Sequence, residues 1–271
     1  MQNIGLMMTY NEEDIIEEVM HHNKKFFDKI LVLDGSSDRT EEILRSFDNV
    51  VYLIKDQDLY PKRKVDNGAR QFLLEEAQKR YGYDGWFTVL HGDEIMVDNP
   101  LEIAERAQKA KAEKVTWHSL NFFLHTSQIN QVFTAEKTIQ EQVTYYQPGS
   151  LEVRQFKNKK GLFYNLNQAA SVLPYNIGFR TLFDFPIFKH YIVRSPQQVQ
   201  KRPISGFANI TPEKLETLKS IPYEACFKDK LYPDLKQVRH YTGSFDEFEP
   251  GKRPAFIWQW LNWHRYKKIE W

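Results

Sequence analysis

The sequence predicts an α/β fold: a mostly parallel sheet with helices on both faces, followed by a smaller, mainly helical C-terminal extension. Two observations carry this. Short apolar runs alternate with segments of helical spacing up to about residue 123, the rhythm of repeated strand–helix–strand units. Each apolar run also ends in a polar or acidic cluster: Thr9-Tyr10-Asn11-Glu12-Glu13, Asp34-Gly35-Ser36-Ser37-Asp38, Lys55-Asp56 and His91-Gly92-Asp93-Glu94. Neighbouring parallel strands would collect all four clusters along the carboxyl edge of one sheet, where open α/β sheets bind ligands. Carboxylates gathered there suit a divalent cation and a nucleotide.

The elements follow in order. Residues 4–9 read as a strand. Asn11 is a good N-cap, and Ile15, Ile16, Val19 and Met20 then recur at helical spacing. Glu12, Glu13 and Asp14 open that helix and Lys24-Lys25 close it, matching the helix dipole. Residues 30–34 form a second strand, and Ser37 or Asp38 caps a short helix reaching Phe47. A third strand covers 50–55, a helix 65–81, a turn 82–85 and a fourth strand 86–90. Asn99-Pro100 opens a helix to about residue 112, and 115–123 is a further strand. The rhythm is lost after Thr126, and residues 127–185 show no period. Residues 196–199 and 212–220 look helical. We therefore divide the chain into an α/β domain at 1–195 and a helical extension at 196–271.

A chain of 271 residues, 41% hydrophobic and 14% aromatic, can bury a sizeable core. A formal net charge of +1 argues against nonspecific nucleic-acid binding. The charge is uneven: residues 1–100 hold 12 basic and 20 acidic side chains, residues 151–203 hold 9 and 2. An acidic, cation-binding edge facing a basic lip is one reading, and ordinary surface variation is the other. The single cysteine, Cys226, permits no internal disulfide and sits in no catalytic motif, which fits a reducing, cytoplasmic setting. No signal peptide is evident, and no apolar run approaches the roughly 18 residues of a spanning helix.

The turn after the first strand has no Gly-x-Gly-x-x-Gly, and no phosphate-binding glycine loop occurs elsewhere. A bound metal is the simplest substitute for such a loop. The opening Thr9-Tyr10-Asn11-Glu12-Glu13, then Asp34-Gly35-Ser36-Ser37-Asp38-Arg39-Thr40, then Asp93-Glu94 ending a strand, resembles glycosyltransferase family 2 with its GT-A, Rossmann-like fold. Asn67-Gly68-Ala69-Arg70 resembles the family's basic position ahead of its DxD strand. Arg154–Gly161, Lys189-His190-Tyr191 and Arg194-Ser195 extend the resemblance more weakly.

The resemblance implies transfer of a sugar, with inversion, from a nucleotide diphosphate donor to a glycan or lipid-linked hydroxyl, with a UDP-sugar as the expected donor. It implies that Thr9 and Tyr10 line the base pocket, within a nucleotide site that includes Asn11 and Glu12. Asp34 would bond uracil or ribose, and Arg70 base or phosphate. Asp93 matches the last acid of the DxD motif and would hold Mg²⁺ or Mn²⁺, with His190 as a further ligand. An imidazole ligand would tilt the choice toward Mn²⁺.

Two departures stand out. His91 occupies the position of the motif's first acid, where it could act as a ligand or make a structural hydrogen bond. The region corresponding to the family's His-Glu pair reads Asn165-Leu166-Asn167-Gln168, without an acid, and Asp184 is the nearest later carboxylate that could serve as base. Structural roles stay open: Asp34 and Asp93 could cap the following helices, and Arg70 could lie on a solvated helix face. A degenerate member that binds sugar nucleotide or glycan without turnover is the alternative reading. The Trp-rich, basic tail at 256–271 suits either docking on the core or peripheral contact with a membrane headgroup layer.

Overall fold

The structure, a computed structural model, describes residues 1–56, 65–125, 128, 131–132, 134–166, 173–192 and 238–245. Strands β1 (Asn3–Thr9), β2 (Lys29–Asp34), β3 (Val50–Lys55) and β4 (Trp86–His91) pair in parallel in the order β3-β2-β1-β4. Between and after them run helices α1 (Ile16–Asn23), α2 (Thr40–Arg45), α3 (Val65–Tyr81) and α4 (Pro100–Lys109).

Strand periodicity explains the two-sided packing. Ile30 and Val32 enter one core with Ile16, Val19 and Met20 of α1 and Ile103 of α4. Leu31 and Leu33, one residue on, enter the other with Ala69, Leu73, Leu74 and Ala77 of α3. Trp86 and Leu90 against Phe87 and Val89 repeat this alternation in β4. Strands covered on both faces read as unbroken apolar runs, which is why they were legible. Full burial of Leu73 or Leu74 contributes about 1.5–3 kcal/mol each.

The second half of the sheet is mixed. β5 (Glu94–Met96), β6 (Lys114–Phe123), β7 (Tyr145–Lys157), β8 (Thr181–Leu182) and β9 (Ile187–Tyr191) complete the order β4-β7-β6-β9-β5, with β8 on β6. β7 runs antiparallel to both β4 and β6. It lies in the stretch that shows no period. Its pairing with β6 shifts register between Val115 and Thr116 and between His118 and Leu120, so alternation is broken. Gly149 is required there: a Cβ would meet Ser119 Oγ at 2.1 Å and the Asn121 side chain at 2.7 Å.

A short helix α5 (Ile139–Gln142) precedes β7, opened by a Thr138–Glu141 capping box. β10 (Arg239–His240), from the segment expected to be a helical extension, pairs with the start of β7, and Tyr241 and Phe245 pack on the first core. The helices expected at 196–199 and 212–220, and the 256–271 tail, lie outside the described residues. Among the described residues, no helix is long and apolar enough to cross a membrane.

Asn11 does not cap α1. The helix starts at Ile16, whose N–H reaches Glu12 O at 2.8 Å, while Asn11 adopts a left-handed φ of 54°. Its side chain instead accepts from Ser37 N at 2.8 Å. A tertiary partner outcompetes the local cap. Asp38 does hold the start of α2, accepting from Thr40 N at 3.0 Å, and Asn99 caps α4 by accepting from Leu101 N at 2.9 Å.

Candidate donor and metal site at the strand ends

Parallel register sets Thr9 beside Asp34, Asp34 beside Lys55, and Met8 beside His91. The polar clusters therefore do converge on one edge. The first two loops are clipped together there. Asn11 N donates to Ser36 Oγ, and Glu12 N to Thr40 Oγ1, both at 2.8 Å. Gly92 lets the β4 end close on them, since a Cβ would meet Glu12 Cγ at 2.7 Å and Thr9 Cγ2 at 2.9 Å.

Asp34 is fully buried. Its Oδ1 accepts from Thr9 Oγ1 at 2.7 Å, Ser36 Oγ at 2.5 Å and Ser36 N at 3.2 Å. Its Oδ2 is buried with no hydrogen-bond partner among the described residues. Burial pushes the carboxyl above its usual range, outweighing the Ser36 and Thr9 hydrogen bonds. A buried acceptor without a donor costs about 1–3 kcal/mol, and a ligand N–H or O–H would remove that cost.

Beyond Asp34 lies a charged cluster. Asp93 follows β4, and its carboxylate is 3.7 Å from His190 Nε2. Antiparallel register between β5 and β9 places Glu94 opposite His190. Burial alone would lower the His190 pKa, but the Asp93 charge beside it raises it. Glu94 is fully buried and accepts from Arg154 Nη2 at 2.6 Å, with His91 Nδ1 at 3.1 Å. Burial would raise the Glu94 carboxyl, yet the Arg154 guanidinium and His91 hold it at about 2. Arg70, from α3, brings Nη2 to 3.4 Å from His91 Nε2.

His91, Asp93 and Glu94 offer ligand atoms within 4.8 Å of one another, so the cluster could hold a metal ion. Their suitability differs. Asp93 makes a long, 3.7 Å contact with the His190 imidazole, whereas Glu94 is already neutralised by Arg154. A hard cation bound by one carboxylate completes its shell with substrate phosphates and water.

Asp184 is not in this cluster. It precedes β9, pairs with Arg106 of α4 at 2.8 Å, and lies beyond the start of a strand whose far end carries His190. Ile187 to His190 alone spans about 10 Å at ~3.3 Å per residue. The expected base is thus separated from the site, because β9 runs away from Asp184 toward Asp93. Arg154 is the residue that sequence reasoning left without a role. It is 3% exposed and pairs with Glu94 and with Glu152 at 2.7 Å. Its signals were the excess of basic residues after 150 and the weak family resemblance of Arg154–Gly161. Tyr10, just before the clipped positions, is half-buried. A cleft of about 720 Å³ lies elsewhere, between α1 and the 134–142 segment.

An open α/β sheet whose strand ends carry a buried carboxylate and an Arg-, His- and Asp-bearing cluster has the layout at which sheets of this class bind ligands. The chain belongs to glycosyl transferase family 2, whose sequence profile matches residues 6–192. That family is named for glycosyl transfer. No curated protein matches the chain significantly.

Solved structures that match share little sequence. A candidate glucose-1-phosphate thymidylyltransferase from Bacillus anthracis is 12% identical, with a TM-score of 0.31, over 46% of this chain and 57% of that one. The chain thus spans little more than half the length of that protein. A 4-diphosphocytidyl-2C-methyl-D-erythritol synthase is 11% identical at a TM-score of 0.36, over 58% of this chain and 74% of that one. HddC from Yersinia pseudotuberculosis is 10% identical at 0.36, over 70% and 93%.

Proposed function

We propose that this chain transfers a sugar, with inversion, from a nucleoside diphosphate donor to a hydroxyl of a glycan or lipid-linked acceptor. The observation that carries the reading is Asp34, a buried carboxylate with one unpartnered oxygen at the strand edge, set beside the Arg70–His91–Asp93–His190 cluster. An ionised carboxylate only accepts hydrogen bonds. It therefore favours a base with an imide N–H, as in uracil, or a ribose hydroxyl. A uridine diphosphate sugar is the donor we infer. Thr9, Tyr10, Asn11 and Glu12 frame the base side, and Arg70 faces the diphosphate side.

Asp93 and His190 would hold Mn²⁺ or Mg²⁺. The ion would act as a Lewis acid on the leaving diphosphate, which gains negative charge as the sugar departs. The position of Asp184 removes it from the reaction we propose. That absence of an assigned base favours, as a second reading, donor binding without turnover. Measured release of UDP from a UDP-sugar separates the two.

The test is a thermal-shift screen of UDP, GDP, dTDP, CDP and ADP, each with Mn²⁺ and with EDTA. Stabilisation by UDP is expected, about 2.7 kcal/mol at 100 times its dissociation constant. No shift with any of the five would sink the donor reading.

The Asp34→Asn variant separates affinity from stability. Its amide would point a donor where the base offers one, so UDP affinity should fall about 10- to 150-fold, from about 1.5–3 kcal/mol lost in a hydrogen bond to a charged group. Folded Asp34 has a raised pKa, so its ionised form destabilises the fold at neutral pH, and that penalty fades as pH falls. The variant should therefore melt at or above the wild-type temperature. Calorimetric UDP titration and melting curves check both; unchanged affinity would remove Asp34 from the site.

A further inference from the structure

We propose that His91 is a positioning residue for Arg70, the last link of a buried relay running Glu152–Arg154–Glu94–His91–Arg70. The inference rests on the donor reading above, and concerns how that site presents its cationic group to the diphosphate.

Hydrogen-bond valence carries the argument. An ionised carboxylate can only accept, so His91 Nδ1, 3.1 Å from Glu94 Oε1, donates. Arginine can only donate, so His91 Nε2, 3.4 Å from Arg70 Nη2, accepts. Both ring nitrogens are thereby taken by protein. Arg154 Nη1 stands 3.5 Å from each of them, which crowds the ring from a third side.

The backbone repeats the tie. His91 N donates to Glu94 Oε2 at 3.2 Å, so Glu94 grips both ends of the same residue. Glu94 is in turn fixed by Arg154, which is anchored by Glu152 and lies over the Phe188 ring at 5.0 Å. Every member from Arg154 to Arg70 is buried or half-buried. A side chain held this way has one orientation to offer.

The consequence is specific to this chain. Where a second carboxylate would bring negative charge toward a cation, His91 instead brings an acceptor toward a guanidinium. The planar, delocalised guanidinium of Arg70 suits bidentate contact with phosphate oxygens, and fixing it beforehand spares ordering entropy on binding.

The experiment is a double-mutant cycle on the full chain: wild type, Arg70→Ala, His91→Ala, His91→Gln and the double alanine variant. UDP affinity is measured by calorimetry in EDTA and in Mn²⁺, and Mn²⁺ affinity alone by electron paramagnetic resonance. Each single alanine variant should weaken UDP binding about tenfold in EDTA, and the double variant should bind no more weakly than Arg70→Ala. His91→Gln, which supplies one donor and one acceptor, should recover most of the loss. Mn²⁺ affinity should be unchanged in all His91 variants.

Additive losses, or a drop in Mn²⁺ affinity on removing His91, would overturn the assignment while leaving the donor reading intact. So would UDP binding that Arg70→Ala leaves untouched. Wild-type protein that binds UDP under neither condition would overturn the donor reading, and this assignment with it.

Discussion

The Asp93→Ala variant is expected to lose sugar transfer by about 10³-fold or more while remaining folded. The size follows from what the residue is asked to do. In the proposed site, Asp93 is the carboxylate assigned to the cation, because Glu94 is committed to Arg154. Removing several kcal/mol of Lewis-acid stabilisation corresponds to a thousandfold or more in rate, at ~1.4 kcal/mol per tenfold. Asp93 lies in the turn after β4, outside both hydrophobic cores, so its loss opens no apolar cavity.

A second readout needs no substrate. The Asp93 charge is what lifts the His190 pKa against the opposing effect of burial. In metal-free Asp93→Ala, the His190 imidazole should titrate lower, seen by histidine NMR. Full transfer activity in the variant would remove Asp93 from the reaction.

The Arg154→Met variant should be destabilised by about 3–5 kcal/mol, the usual cost of leaving a buried charge without its partner. At ~2–4 °C per kcal/mol for a chain of this size, the melting temperature should fall by roughly 10 °C. Methionine fills much of the volume, so the loss reports charge rather than a cavity. Glu94 is the buried carboxylate exposed to this change, with Glu152 more open to water.

The pH dependence gives the sign. In wild type, Glu94 titrates at about 2, below its usual 4.5. The stability this represents is fully present above the unfolded value and disappears only as pH falls toward 2. In Arg154→Met, burial is no longer opposed by the guanidinium and the carboxyl shifts up. The deficit should therefore shrink as pH drops through the ordinary carboxylate range. Adding Glu94→Gln to Arg154→Met should recover most of the lost stability. A deficit independent of pH, or no recovery in the double variant, would show that Arg154 acts through packing.

The sequence by itself determined the parallel half of the sheet. β1, β2 and β4 are apolar on both faces because helices cover both, and their polar ends mark where the covering stops. Thr9, Asp34, His91 and Asp93 were legible for the same reason: each follows an apolar run, so parallel pairing alone brings the runs' ends together.

Tertiary structure decided the rest. β7 could not be read, because its register shifts against β6 erase the period of two. Asn11 carries a strong local capping signal, and a donor from a loop 26 residues away takes its oxygen instead. Asp184 and His190 are six positions apart, yet a strand direction that sequence spacing does not encode sends them to different places. The partners of Glu94 and His91 come from β7 and α3, 60 and 21 residues away. Periodicity records which side of an element is buried. It carries no information on which distant charge will meet a strand end, and that pairing sets the electrostatics of this site.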